Sequence, residues 1–323
     1  MRNIKLTIEY DGTAYHGWQS QVNAAAVQDV VSAAVQKLTG EKCILHGSSR
    51  TDAGVHAYGQ VANFHTASGI PADKFAFALN TMLPDDISVV GSEEAEPGFH
   101  ARFSAKGKRY RYLFWNSLFS SAIMRNRAWH VYYPLDVEAM RRASGNFLGT
   151  HDFLAFSASG SSVKTTVRTV CGISVSGDSP EQSCRPEQSC HSERSEESYN
   201  LQKILRYAQD DKRYAQDDKN MSSEGKRTVP IAAKRESRPP VPQLEQENRP
   251  PVPPLEYAGT VSLDVEGDGF LYNMVRIIAG TLVEVGYGRI APEDIPAILE
   301  SRDRRRAGLT APPQGLYLME VFY

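Results

Sequence analysis

The sequence predicts an α+β fold built from two halves, each running β-α-β-β-α-β in the ferredoxin-like order and packed around a central cleft. Two observations carry this expectation. Period-two and helical hydrophobic patterns recur in the same order along residues 1–104 and again along 105–323. The chain of 323 residues is 41% hydrophobic, enough for a sizeable core, and no apolar run reaches the roughly 18 residues that a membrane helix needs.

Ile4 to Tyr10 alternate as a strand and close on Asp11-Gly12, a turn signal. Val27, Val30, Val31, Ala34, Val35 and Leu38 then follow helical spacing, and Gly40 supplies the stop. Lys42 to Gly47 and Gln60 to His65 read as two further strands, separated by a loop of polar and small residues. Asp73 to Met82 suits a helix entered through Pro71, and Ile87 to Gly91 a closing strand. In the second half Arg109 to Trp115 reads as a strand and Val137 to Leu148 as a helix. Val167 to Val175 and Gly259 to Glu266 are strands joined as a hairpin. Leu271 to Val285 is an apolar helix, Ile295 to Glu300 a shorter one, and Leu316 to Phe322 a last strand.

Between the hairpin strands the composition changes. Residues 178–256 hold 10 of the 18 prolines and repeat themselves, as in Glu181-Gln182-Ser183-Cys184 and Glu187-Gln188-Ser189-Cys190. Such a segment lacks the apolar surface to offset ordering entropy and is expected to be a disordered insert in the C-terminal half. A polyproline II ligand at Pro239-x-x-Pro242 or Pro250-x-x-Pro253 is the competing reading. The insert takes 13 of the 36 basic and 15 of the 38 acidic residues, leaving 23 of each in the remaining 244. A neutral body excludes a globally polybasic binder and shifts attention to local charge. Four cysteines without a Cys-x-x-Cys pair, two of them in the insert, argue against a disulfide framework or a zinc site. A cytoplasmic protein is expected.

Three features can carry chemistry. Asp52 lies in Gly47-Ser48-Ser49-Arg50-Thr51-Asp52-Ala53-Gly54-Val55-His56, flanked by small residues that let a ligand approach its carboxylate. Arg50, two positions earlier, can hold a phosphate or carboxylate. An Asx-turn at Asp52 with Gly54 at positive φ accounts for the same pattern without chemistry, and His56 reads more simply as structural than as a base. Between Glu96 and Asp136 seven basic residues, from Arg102 through Lys108, Arg109 and Arg111 to Arg127, interleave with ten aromatics and no acid. Cations neutralise phosphates and aromatic faces stack on unpaired bases, so this stretch favours nucleic acid over a merely solvated strand face. Arg302 and Arg304 to Arg306 form a second basic cluster. Finally, Arg276 sits in the apolar run Phe270 to Gly280 and needs either a carboxylate, with Asp52 the candidate, or a snorkelling route to solvent.

Taken together, Glu9-Tyr10-Asp11-Gly12, Tyr15-His16-Gly17-Trp18-Gln19, Arg50-Thr51-Asp52-Ala53-Gly54-Val55-His56 and His100-Ala101-Arg102-Phe103-Ser104-Ala105 resemble the tRNA pseudouridine synthase A family. So do Arg109-Tyr110-Arg111-Tyr112, His151-Asp152-Phe153, Phe270 to Gly280 and Gly315-Leu316-Tyr317-Leu318. The match runs in order through all of the chain except the insert. The resemblance implies the pseudouridine synthase fold and isomerisation of uridine in the anticodon stem-loop of tRNA, just 3′ of the anticodon. It implies Asp52 as the catalytic carboxylate, Tyr110 stacked on the target base, Arg276 paired with the aspartate, and Arg50 moving the nucleotide out of its stack. It further implies a homodimer acting on tRNA, with no cofactor, no metal and no membrane. Two other functions fit parts of the pattern. A non-catalytic RNA-binding protein need not keep Asp52, Tyr110 and Arg276 together, and a glycoside hydrolase needs a second carboxylate beside Asp52.

Because loop-closure entropy grows slowly with length, replacing residues 178–256 by a short turn should gain about 1 kcal/mol and preserve activity. Thermal melts and turnover of the deletion protein check this; a protein that no longer folds would make the insert integral.

Overall fold

The computed structural model describes residues 1–22, 24–158, 163, 165–177 and 259–323. The expected insert therefore lies outside the described residues. Ten strands form one mixed sheet among those residues. They are β1 (Arg2–Tyr10), β2 (His46–Gly47), β3 (His56–Thr66), β4 (Ile87–Ala95), β5 (Gly107–Asn116), β6 (Trp129–Val131), β7 (Gly149–Asp152), β8 (Val167–Ser176), β9 (Gly259–Gly267) and β10 (Leu316–Phe322). The α-helices are α1 (Val27–Thr39), α2 (Phe75–Asn80), α3 (Val137–Ser144), α4 (Met274–Gly286) and α5 (Ile295–Ser301).

Along the sheet the order is β4-β1-β3-β10-β5-β9-β8-β7, with β2 on β3 and β6 on β5. A short parallel seam, Tyr317 opposite His56 and Leu318 opposite Ala57, joins the strands of the first hundred residues to those of the rest. The main neighbours on either side are antiparallel. The hairpin expected across the insert is present, with Ser176 opposite Ser262. Helix α2 packs on β4 and α1 on α2, while α3 packs on β8 and α4, and α4 on β5. All contribute to one apolar core. No helix of the described residues is long and apolar enough to cross a membrane.

The local reasons match the elements. In α1 the buried Val27, Val31, Ala34 and Val35 fall on one helical face, and Gly40 closes the helix in the left-handed region at φ 73°. In β5 burial alternates, placing Lys108, Tyr110, Tyr112 and Phe114 on one face and Arg109 and Arg111 on the other. Helix α4 is buried at every position but Arg276 and Glu284.

Several boundaries differ from the sequence pattern. Strand β3 starts at His56 rather than Gln60, β4 runs to Ala95 rather than Gly91, and the helix expected over 73–82 is a 3-10 turn followed by Phe75–Asn80. The strand expected over 42–47 shrinks to His46–Gly47, because Glu41 reaches the far end of β3 with its side chain, accepting from the Thr66 hydroxyl and the Ala67 N–H. The helix expected from Leu271 begins at Met274, since Asn273 stands at φ 61° and a left-handed residue cannot continue a helix. Helix α3 stops at Ser144 and tightens into a 3-10 turn over Gly145–Phe147. The short strands β6 and β7 had no periodicity to announce them.

Helix α4 is fixed by the chain that lies across it. The Gly308 N–H donates to Thr281 Oγ1 at 2.9 Å and the Ala311 N–H to the Arg276 carbonyl at 3.1 Å. Residues 308–311 come so close that a Cβ on Gly280 would overlap the Leu309 carbonyl oxygen. Gly280→Ala should therefore cost about 1–3 kcal/mol in denaturant unfolding. Gly145→Ala is its control: φ is −56°, a Cβ meets nothing within 4 Å, and stability should rise by about 0.4–1 kcal/mol. Equal effects at the two positions would contradict the packing account.

Candidate active site

The loop between β2 and β3 carries Asp52, and the rest of that loop is tied down by buried polar groups. Gln60, on β3, donates to the Ser49 carbonyl at 2.8 Å and accepts from the Ser48 hydroxyl at 2.7 Å. The Thr51 and Tyr10 hydroxyls share a hydrogen bond at 2.7 Å. Burial holds the Tyr10 phenol well above its ordinary pKa, so it stays neutral. From the segment after β1, the Trp18 N–H donates to the Thr51 carbonyl and the Tyr15 carbonyl accepts the Gly54 N–H, both at 3.2 Å. Gly17 makes this approach possible: its φ is +87°, and a Cβ there would overlap the Thr51 carbonyl oxygen.

Asp52 is thereby held toward a pocket of about 800 Å³, a size typical of small-ligand sites. Trp18, Ser49, Lys108, Tyr110, Phe270 and Arg276 are among its walls. Arg276 Nη1 donates to Asp52 Oδ2 at 3.2 Å and to Asn273 Oδ1 at 2.8 Å, and Nε donates to the Ala311 carbonyl at 2.7 Å. The unusual backbone of Asn273 thus ends the helix and supplies a second acceptor for the guanidinium. Side-chain exposure is 31% for Asp52 and 14% for Arg276, so the contact is largely shielded while the carboxylate stays reachable. Burial raises the Asp52 pKa above its ordinary value, and the charge and hydrogen bond of Arg276 work against that rise. Of the two readings of Arg276, the carboxylate pair is the one observed.

Tyr110 is buried, with its ring edge-on to Phe270 at 5.2 Å between centroids and its hydroxyl 2.8 Å from Ser49 Oγ. Burial, and secondarily the negative charge of Asp52, push its pKa up to about 12, against the Ser49 hydrogen bond. Arg50 is exposed at the same pocket, and among the described residues no carboxylate pairs with it. His56 is elsewhere. It is buried against Tyr317 at 4.8 Å, its Nδ1 accepts the Gly12 N–H at 3.1 Å, and burial lowers its pKa. It braces the fold and does not line the Asp52 pocket.

The basic stretch is less bare than its sequence. Arg109 pairs with Glu266 and Glu320, and Arg111 makes a two-pronged contact with Asp264, all from residues opposite in register on β9 and β10. The second cluster is engaged as well: Arg302 with Asp152, Arg305 with Asp303, Arg304 with the Ala307 and Gly308 carbonyls, and Arg306 with that of Ala297. Within the basic stretch only Arg109, Arg111 and Arg127 have a carboxylate partner among the described residues. Arg102, Lys106, Lys108 and Arg125, like Arg50 on the Asp52 loop, have none among those residues.

Sequence reasoning did not single out Ser49, Gln60 or Asn273. Nothing in their local pattern marks them, because each acts through a neighbour remote in sequence. Lys108 was visible only as one cation among seven, though its place two residues before Tyr110 put both on one strand face.

Comparison with known proteins bears on this arrangement. A family described as tRNA pseudouridine synthase matches residues 6–104 and 143–323. Among curated relatives, the tRNA pseudouridine synthase A of Acetivibrio thermocellus is 47% identical over 323 residues, covering 100% of both chains. Those of Ruminiclostridium cellulolyticum and a Thermoanaerobacter species are 45% and 41% identical with the same coverage. On a family match across most of its length and full-length relatives at these identities, the chain belongs to the tRNA pseudouridine synthase family.

Proposed function

We propose that this tRNA pseudouridine synthase acts on a uridine of the anticodon stem-loop, just 3′ of the anticodon, with Asp52 as its catalytic carboxylate. The observation that carries the reading is the pocket itself, where a half-buried carboxylate meets a guanidinium and a buried tyrosine. In the reaction the N1–C1′ bond breaks, the base rotates, C1′ bonds to C5, the C5 proton leaves, and N1 gains one. Net electrons do not change and no group is imported, so the reading asks for neither cofactor nor metal.

Asp52 must be ionised to work at the junction of sugar and base. Arg276 serves that need by opposing the burial that raises its pKa. Tyr110 forms a flat wall on which the target base stacks, with its hydroxyl positioned to take the C5 proton. Arg50, exposed at the rim, contacts the phosphate of the displaced nucleotide. The finer architecture belongs to the same reading. We take residues 1–104 and 105–323 as two ferredoxin-like halves, supported by the strand orders β4-β1-β3-β2 and β10-β5-β9-β8. Action in the cytoplasm and as a homodimer with tRNA across both subunits rests on the family resemblance.

Asp52→Asn should abolish tritium release from tRNA carrying C5-labelled uridine while leaving tRNA affinity within about tenfold, since one charge is a small part of a phosphate-dominated interface. Wild-type-like release would sink the assignment. Arg276→Met keeps the helix and removes the charge. The Asp52 pKa, already raised by burial, should then rise further. The carboxylate is the active form, so activity is lost as pH falls through that pKa, and the acidic limb of the rate profile should move to higher pH. Arg276→Lys should recover only part of the rate, because an ammonium cannot reach Asp52, Asn273 and the Ala311 carbonyl as the guanidinium does. An unchanged limb in Arg276→Met would remove Arg276 from the site.

A further inference from the structure

Tyr110 can accept the C5 proton only if its own hydroxyl proton has somewhere to go. Burial and the neighbouring Asp52 put its pKa near 12, so a standing phenolate is rare at neutral pH. Among the described residues its hydroxyl has one hydrogen-bond partner, Ser49 Oγ at 2.8 Å. Ser49 Oγ in turn lies 3.3 Å from Lys108 Nζ, which also donates to the Ser48 carbonyl at 3.1 Å. The three side chains make an unbroken line along the pocket wall, from Tyr110 through Ser49 to Lys108.

We propose that Ser49 and Lys108 form a proton relay that lets Tyr110 act as the base for C5. The inference rests on the reading of Tyr110 given above. The C5–H bond breaks and its electron pair restores the C5–C6 double bond of the pyrimidine. Tyr110 Oη takes that proton while passing its own to Ser49 Oγ, and Ser49 passes its own to the unprotonated amine of Lys108. Lys108 becomes an ammonium, and the phenol and serine hydroxyl are regenerated. Deprotonation of Lys108 to solvent resets the line. Ser49 and Lys108 act through Tyr110 and are positioning residues.

The surroundings of Lys108 suit an amine that gives up its proton. Among the described residues no carboxylate pairs with it. Across the sheet it faces Val321 on β10 and Gly267 on β9, neither of which carries charge. From the preceding turn Arg102 adds a like charge, and from the Asp52 loop it meets only Ser48 and Ser49. Burial first, and Arg102 second, bring its pKa down to about 8, so the neutral amine is within reach near neutral pH. An unpaired lysine held half-buried beside a serine is a cost to the fold that the relay explains.

Single-turnover conversion of tRNA carrying 5-deuterouridine or ordinary uridine, followed from pH 6 to 9, tests the relay. Lys108→Arg keeps a positive charge but cannot accept a proton, and Ser49→Ala removes the middle link. Both should bind tRNA within about threefold of wild type. Both should convert it at least tenfold more slowly, lose the rise in rate centred near pH 8, and show a deuterium effect of about two or more. Ser49→Thr, which restores a hydroxyl, should regain most of the rate. Lys108→Ala should be rescued by added methylamine in proportion to its neutral fraction. Wild-type rates and pH profiles in Lys108→Arg and Ser49→Ala, or equal losses in Ser49→Thr and Ser49→Ala, would overturn the relay. Failure of the parent reading is separate: it would show as activity retained in Asp52→Asn or Tyr110→Phe.

Discussion

The contact between Asp52 and Arg276 is the constraint on which the rest of the structure depends. A carboxylate in a shielded pocket tends to protonate, and a guanidinium in an apolar helix tends to escape to water. Each reduces the other's penalty, at 3.2 Å, from positions 224 residues apart. The pair requires both parts of the sheet to be correctly joined, because one partner hangs from the loop before β3 and the other from α4. Removing either leaves the remaining charge in a site designed for two. Exposure of 31% at Asp52 keeps the interaction from becoming a closed structural bridge and leaves the carboxylate open to a substrate.

Much of the remaining polar architecture serves to aim these two groups. Gln60, Ser48, Thr51 and Tyr10 spend buried hydrogen bonds on the Asp52 loop, and such groups hold geometry only when all are satisfied. On the other side, Ala311 and Arg276 exchange two hydrogen bonds, backbone to backbone and guanidinium to carbonyl. Asn273 contributes its left-handed backbone and its amide oxygen at once. The glycines at 17 and 280 belong to the same design, since each lets one segment approach another more closely than a Cβ permits. The site is thus preorganised before any ligand enters, which is the condition under which fixed charges act most strongly on a reaction.

The sheet and most helices were legible because their burial is periodic. Val27 to Leu38 mark one face of α1, and the Tyr-Arg alternation of β5 marks both faces of a strand. Arg276 was legible for the opposite reason, as a charge the local pattern cannot accommodate. What escaped notice depends on partners distant in sequence. The shortening of β2 follows from the Glu41 side chain reaching Thr66 and Ala67. The apparent surplus of positive charge at Arg109 and Arg111 is cancelled by Glu266 and Asp264, acids more than 150 residues away. Ser49 and Lys108 likewise become neighbours only when the Asp52 loop lies against β5.

The most direct test of the central claim is to titrate Asp52 itself, by carbon-13 carboxyl spectroscopy of the free enzyme with labelled aspartate, assigned through Asp52→Asn. The account predicts a pKa above that of an exposed aspartate yet low enough for an ionised carboxylate at neutral pH, rising further in Arg276→Met. An ordinary aspartate value, unmoved by the loss of Arg276, would contradict it.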